Sequence, residues 1–222
     1  MNTPDERKSQ VRPLTTTSYA VLSVLALRDH STYDLTKQMR YSLHYLWPRA
    51  ESNVYAEPSR LVEAGLASSR QEFIGDRRRT VYSITHAGRR ALSTWLAAPS
   101  ARPRYESEAL LKVLFAENGT RDDLLASVRA LREDAEEALA HWQAVADRYA
   151  GGAGEYPERF ALSSLVARLL GEQESATVRW AHLAEEAISA WDGPSVDDAA
   201  WGVETVRAIG SSSARVGAAR PR

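Results

Sequence analysis

A chain of 222 residues with 44% hydrophobic side chains and a formal net charge of −1 can build one large or two small cores, and it is not a disordered polyelectrolyte. It contains no cysteine, which excludes disulfides, thiol catalysis and zinc-thiolate sites. No apolar run approaches the roughly 18 residues of a membrane helix, and the stretch from Met1 to Lys8 lacks the apolar core of a secretory signal, so a cytoplasmic protein is expected.

The small net charge hides an asymmetry. Residues 1–104 hold 16 Lys+Arg against 9 Asp+Glu, a net of +7, whereas residues 105–222 hold 12 against 20, a net of −8. A basic first half beside an acidic second half points to a polyanion as the partner of the first half.

After an arm over residues 1–14, Thr15-Thr16-Thr17-Ser18 offers N-cap oxygens to a run, Tyr19 to Leu27, that is apolar nearly all round. A helix of that kind sits centrally and buried. Ser31 or Thr32 caps a second helix, predicted over residues 33–43, with Leu35, Met39 and Leu43 inward and Lys37 and Arg40 on its polar flank. Trp47-Pro48 closes that region, because the residue before Pro resists the helical well.

A third helix is predicted over residues 52–64, with Val54, Leu61 and Val62 inward. Its expected outer face carries Ser52, Asn53, Tyr55, Glu57, Ser59 and Arg60, and Gly65-Leu66 supplies a glycine stop with its apolar contact. Pro58 in mid-helix either kinks the element or separates its first turn. A two-stranded ribbon follows, predicted over residues 67–74 and 80–84, with Gly75-Asp76 turning and Arg77-Arg78-Arg79 beside the tip. Three adjacent arginines require solvent or phosphate. Thr85 caps a fourth helix with Ala87, Leu92, Trp95 and Leu96 as its stripe.

A helix followed by a basic two-stranded ribbon is the layout of a winged helix: the helix enters a major groove and the ribbon lies on the adjacent backbone or minor groove. The candidate DNA contacts are Lys37, Arg40, Ser52, Asn53, Tyr55, Ser59, Arg60, Arg77, Arg78 and Arg79.

Beyond a linker at residues 99–104, Leu110, Leu111, Val113, Leu114 and Phe115 mark a short helix, and Thr120 with Asp123 resembles a capping box. Leu124, Val128, Leu131, Ala135, Ala138, Trp142, Val145 and Tyr149 then recur at 4-3 spacing. Gly151-Gly152-Ala153-Gly154 makes a hairpin, and Leu162, Val166, Leu169, Gln173, Ala176, Trp180, Leu183 and Ala187 repeat the rhythm. Two such helices pack antiparallel, each through its 4-3 series. Leu125, Leu139, Leu165, Leu170 and Ile188 fall off those seams and call for a second subunit as cover. One more helix is expected over residues 197–209, with a loose tail over 211–222.

The segment 19–97 resembles the PadR family of winged-helix transcription regulators. The matching residues are the apolar first helix, Tyr33-Asp34-Leu35, Trp47-Pro48, Tyr55, Arg60-Leu61, Gly65-Leu66, the basic wing, Tyr82-Ser83-Ile84-Thr85, Gly88 and Leu92-Ser93-Thr94-Trp95-Leu96. Thr32 and Pro58 depart from the family pattern. The resemblance implies a mainly α fold with a small two-stranded β-wing: an N-terminal winged helix-turn-helix over 15–98 and a C-terminal antiparallel helical dimerisation domain over 105–210. It implies a homodimer on a palindromic double-stranded DNA operator, with no membrane partner and no cofactor.

It also implies a repressor released by a small aromatic effector lodged between the DNA-reading domain and the helical hairpin. The sequence offers Trp95, His141, Trp142, Trp180 and His182 for that role, against ordinary core packing of the same residues. The five histidines show no metal-binding spacing, and no Gly-rich phosphate loop or nucleophile elbow is present, so no catalytic or metal residue is assigned. The alternative function is a helical protein–protein interaction module whose winged helix no longer binds DNA.

Overall fold

The computed structural model describes residues 13–43, 45–47, 54–195, 197 and 199–212. Most of the expected N-terminal arm and tail, and the candidate contacts Ser52 and Asn53, lie outside the described residues. The chain divides into two compact units, Met1–Pro103 and Arg104–Arg222.

In the first unit, α1 (Thr16–Leu25) begins with a reciprocal cap between Thr15 and Ser18 and buries Val21, Leu22, Val24 and Leu25. α2 (Thr32–Leu43) contributes Leu35 and Met39 to the same core, joined by Val54, Leu61, Ala67 and Tyr82. The Ser31 hydroxyl accepts from the Asp34 N–H at 3.2 Å, so Ser31 acts as the N-cap.

The third helix differs from its sequence expectation. α3 spans Glu57–Glu63, with Val54–Ala56 in a turn before it and Pro58 in its first turn. Among the first helical N–H groups a missing donor breaks no ladder bond, so Pro58 starts this helix without kinking it. Its end is a Schellman closure. Gly65, at φ +71°, donates to Val62, and Leu66 donates to Leu61 at 2.8 Å.

The wing is the hairpin of β2 (Ala67–Ile74) and β3 (Arg77–Ile84), paired antiparallel from Ala67↔Ile84 to Ile74↔Arg77. Gly75 at φ +57° takes the first turn position. A third strand, β1 (His30–Ser31), pairs with Tyr82 and Val81, making the sheet order β1-β3-β2. The ribbon expected to be two-stranded therefore has a short outer partner. β3 starts three residues earlier than expected, so Arg77, Arg78 and Arg79 beside the turn are part of the strand itself. α4 (His86–Ala97) is capped by Thr85, whose hydroxyl accepts from the Gly88 N–H at 3.0 Å and donates to the Gly65 carbonyl at 2.8 Å.

The second unit is helical. α5 (Glu108–Leu114) precedes α6 (Arg121–Ala150), which opens on the reciprocal Thr120–Asp123 capping box. α7 (Phe160–Ser189) runs back antiparallel. The Arg121 guanidinium reaches the Trp191 carbonyl at one end, Arg132 pairs with Glu185 at 2.9 Å, and Tyr149 stacks on Phe160 at 4.1 Å at the other. α8 (Ala199–Ser212) follows, with Trp201 edge-on to Trp191. It continues through Gly210 to Ser212, past the expected start of the loose tail.

On α6 the 4-3 series is the inward face: Leu124, Val128, Ala135 and Ala138 are buried, and Leu131, Trp142, Val145 and Tyr149 are half-buried. On α7 most of the expected series is not, although Trp180 and Ala187 are half-buried. Leu162, Val166, Leu169 and Leu183 are exposed, as are Gln173 and Ala176. The face that packs on α6 is a parallel series of smaller residues, Ala167, Gly171, Glu174, Val178, Ala181 and Ile188. Small side chains let two helix backbones approach closely, and Gly171 lies directly against Leu139. The large apolar residues are left on the outside. Leu125 and Ile188, expected to need outside cover, are buried in the hairpin, whereas Leu165 is exposed. Among the described residues, no helix is long and apolar enough to cross a membrane.

Candidate nucleic-acid interface

α3 and the wing are tied together where the Ser59 and Tyr82 hydroxyls lie 3.4 Å apart. Strand alternation then decides which wing residues share the side of α3. Ser69↔Tyr82, Gln71↔Thr80 and Phe73↔Arg78 are cross-strand partners, so these residues lie on the Tyr82 face. Gln71, Phe73 and Arg78 are exposed there. Gln71 donates to Thr80 and accepts from Arg78, each at 3.0 Å.

The opposite face is chemically different. Arg79 pairs with Glu72 at 2.9 Å and lies 3.7 Å from Asp34; Arg70 pairs with Asp29 and Glu72. Three carboxylates against two guanidiniums leave that patch with a net charge of −1. The hydrogen bonds from Arg79 and then Arg70 hold Glu72 below the usual carboxylate range, and Arg70 does the same to Asp29. For Asp34 the Ser31 hydroxyl is the larger cause, with Arg79 a lesser one. An already neutralised lattice has little to offer a phosphate. The arginine triplet therefore splits. Arg78 stands on the α3 side beside a neutral partner, and Arg79 is engaged in tying the wing to α2. Arg77 opens β3 opposite Ile74.

On α3, Tyr55 and Ser59 are exposed, the former in the turn just before the helix. Glu57, expected on the outer face, is 2% exposed. Its carboxylate accepts from the Ser18 hydroxyl and from Arg60 Nη1 at 2.7 Å, so it faces α1 and not solvent. Arg60 retains one third of its side-chain surface. Lys37 and Arg40 are exposed on α2. Gln71, Phe73 and Thr80 are not among the residues expected from sequence, although alternation from Arg78 across the two-residue turn points to all three.

The residues considered for an effector fall in both units. Trp95, in the first unit, stacks on Tyr19 with ring centroids 4.9 Å apart and 7° between planes. The other four belong to the second unit. His141 meets Trp142 edge-on at 5.2 Å. Trp180 packs with the Leu124, Leu125 and Val128 cluster, and His182 is exposed. Because Leu139 lies against Gly171 and the helices are antiparallel, Trp142 faces the turn of α7 before Gly171, about 18 Å of helix from Trp180. Trp142 and Trp180 do not form one aromatic box.

Residues 21–94 match the model of the transcriptional regulator PadR-like family, and residues 106–189 match that of the virulence activator alpha C-terminal family. The negative transcriptional regulator PadR of Bacillus subtilis (strain 168) is 28% identical over 99 residues, 44% of this chain and 54% of that protein. The chain thus aligns with about half the length of this curated relative. Among solved structures, Bacillus subtilis PadR in complex with operator DNA superposes with a TM-score of 0.66 at 22% identity, covering 78% of this chain and 99% of that one. The same protein in complex with p-coumaric acid gives 0.63 at 22% identity over 79% and 99%. The Vibrio cholerae virulence activator AphA gives 0.59 at 28% identity over 78% and 98%. The matched relatives are regulators of transcription or virulence, not enzymes.

Proposed function

This chain carries a domain of the PadR-like family of transcriptional regulators at residues 21–94, and on that premise we propose that it is a sequence-specific DNA-binding repressor that works as a two-fold dimer. The observation that carries the reading is the continuous surface formed by α3 and one wing face. The Ser59–Tyr82 contact joins them; Tyr55, Ser59, Gln71 and Arg78 are exposed and Arg60 is half-buried. α3 reads the major groove, Arg78 takes adjacent phosphate, and Lys37 and Arg40 add backbone contacts. Ser52 and Asn53, which precede α3 in sequence, are further candidate base contacts. The +7 net charge of residues 1–104 supplies the general attraction to DNA.

The dimer is supported by the apolar surface that the second unit leaves uncovered. Leu162, Leu165, Val166 and Leu169 on α7, with Leu111, Leu114 and Phe115 on and just after α5, are all exposed. A second copy buries them self-complementarily and sets two α3 helices on a palindromic operator with half-sites one or two DNA turns apart. Repression is the mode of the negative regulator from Bacillus subtilis that the chain resembles.

A small aromatic effector fits the same reading, because a protein of this fold has been solved with p-coumaric acid. Trp95, already stacked on Tyr19, and the His141–Trp142 pair are separate candidate contacts. An effector that favours the released state about 100-fold supplies at most about 2.7 kcal/mol, enough to lower operator occupancy without abolishing it. Gel-shift of the full chain on DNA upstream of its own gene, with and without aromatic acids, tests the reading. A retarded band weakened by an acid supports it; no retardation at micromolar protein contradicts it.

A further inference from the structure

Among the described residues, Glu57 is the deeply buried carboxylate, at 2% exposure, and it stands in the first turn of the helix assigned to DNA reading. Burying a carboxylate is costly unless it is paired and hydrogen-bonded, and an apolar side chain fills such a position at less expense when packing is all that is needed. Glu57 has both kinds of partner. The Ser18 hydroxyl donates to Oε1 at 2.5 Å and Arg60 Nη1 donates to Oε2 at 2.7 Å. Ser18 is itself fixed, since its hydroxyl accepts from the Thr15 N–H at 2.9 Å and its N–H donates to the Thr15 hydroxyl at 3.3 Å. An unbroken chain of bonds thus runs from the N-cap of α1 through Glu57 to the guanidinium of Arg60. Pro58, buried beside it, fixes where α3 starts.

The carboxylate holds Arg60 through one nitrogen. A guanidinium carries five N–H donors in a planar fork, so others stay available to a base edge or phosphate, on a side chain that keeps one third of its surface. The same pairing offsets the arginine's charge. We propose that Glu57 is the positioning residue of the DNA-reading helix, whose buried carboxylate orients Arg60 and damps its general attraction to phosphate so that Arg60 acts in sequence discrimination. This rests on the DNA-reading function proposed above.

The test uses the full chain as wild type, Glu57→Gln, Arg60→Lys, Arg60→Ala and the Glu57→Gln/Arg60→Ala double variant. Each is titrated with a duplex enriched by the wild type from a random library and with a scrambled duplex of equal composition, across a salt series. Glu57→Gln releases a mobile cation. Binding to scrambled DNA tightens severalfold, its salt slope steepens by up to about 0.9, and the selectivity ratio falls about tenfold or more. The double variant shows the selectivity of Arg60→Ala alone, because the carboxylate acts through that arginine. Arg60→Lys keeps the charge without the fork and loses selectivity at an unchanged salt slope, which keeps the test sharp should Glu57→Gln fold poorly. A Glu57→Gln protein that is less heat-stable but retains wild-type selectivity and salt slope overturns the proposal, as does an Arg60→Lys protein with full selectivity. A wild type that enriches no sequence overturns the DNA-reading function and this inference with it.

Discussion

Arg78 and Arg79 are neighbours in sequence and stand on opposite faces of the wing, Arg78 donating to Gln71 at 3.0 Å and Arg79 to Glu72 at 2.9 Å. The first faces the side of α3; the second closes an ionic lattice with α2. The triplet 77–79 therefore does not act as one basic patch.

Arg78→Ala is expected to weaken binding to all duplexes about equally and to lower the salt slope by about 0.9, the share of one neutralised phosphate. Arg79→Ala is expected to leave the salt slope unchanged. Its cost falls on stability, and it is small, about 0–1 kcal/mol, because the arginine is more than a third exposed. Salt-dependent fluorescence anisotropy with a labelled duplex, alongside thermal unfolding, separates the two. Equal slope changes in both variants contradict the assignment of faces.

The exposed leucines of α7 are expected to bury against a second copy. Leu165 is 70% exposed and Leu169 61% exposed in the single chain, so replacing both with Glu leaves the hairpin core intact. The double variant is expected to keep its helical circular dichroism, to elute as a monomer by light scattering, and to bind its operator about tenfold or more weakly. A double variant that remains dimeric places the subunit contact elsewhere.

The same α7 shows where sequence stops being informative. Its helical rhythm is legible, but two interleaved series satisfy the helical repeat. One is large and apolar, with Leu162, Val166, Leu169 and Leu183; the other is small and mixed, with Ala167, Gly171, Glu174, Val178 and Ala181. Hydropathy selects the first, whereas close helix packing within one chain uses the second, because small residues admit a near neighbour. On α6 a single series is both apolar and inward, and there periodicity and structure agree. In the first unit the core positions Leu35, Met39 and Leu61 follow from periodicity, Leu22 from a run apolar nearly all round, and Gly65 from its place after an apolar helix. The two-residue strand at His30–Ser31 carries no pattern of its own and exists only through pairing with β3. Glu57 escapes sequence reasoning for a related reason: a carboxylate on a short helix reads as solvent-facing until Ser18, distant in sequence, supplies a partner.

Gly88 is expected to tolerate no side chain. A Cβ there would lie 2.1 Å from the Leu66 carbonyl oxygen and 2.8 Å from an Ile84 side-chain carbon. The oxygen is backbone, held in place by the Thr85 N–H at 3.0 Å, so it cannot move aside cheaply. Gly88→Ala is expected to destabilise by about 1–3 kcal/mol in urea unfolding followed by circular dichroism. A destabilisation below about 0.5 kcal/mol means that α4 slides freely against the end of α3.

Glu174 gives the helical hairpin a pH dependence. Burial is the larger cause, and Asp134 the smaller, of a pKa raised above the ordinary 4.5. An acid with a raised folded pKa is no burden while both states are protonated. As pH rises, the unfolded chain loses its proton first, so stability falls from about pH 4.5 through the folded pKa and then levels off. Glu174→Gln is expected to raise the melting temperature at pH 7 and to change nothing near about pH 3.5. An equal gain at both values attributes the effect to packing instead.

If α3 and the Tyr82 face of the wing read a DNA sequence as a two-fold pair, the full chain must choose among duplexes. Selection from a random library at near-physiological salt, followed by sequencing, measures that choice. The expected outcome is enrichment of an inverted repeat with half-sites about one or two helical turns apart, abolished in Arg60→Ala. Recovery of the input distribution, with binding that depends on salt alone, would refute sequence reading by this surface.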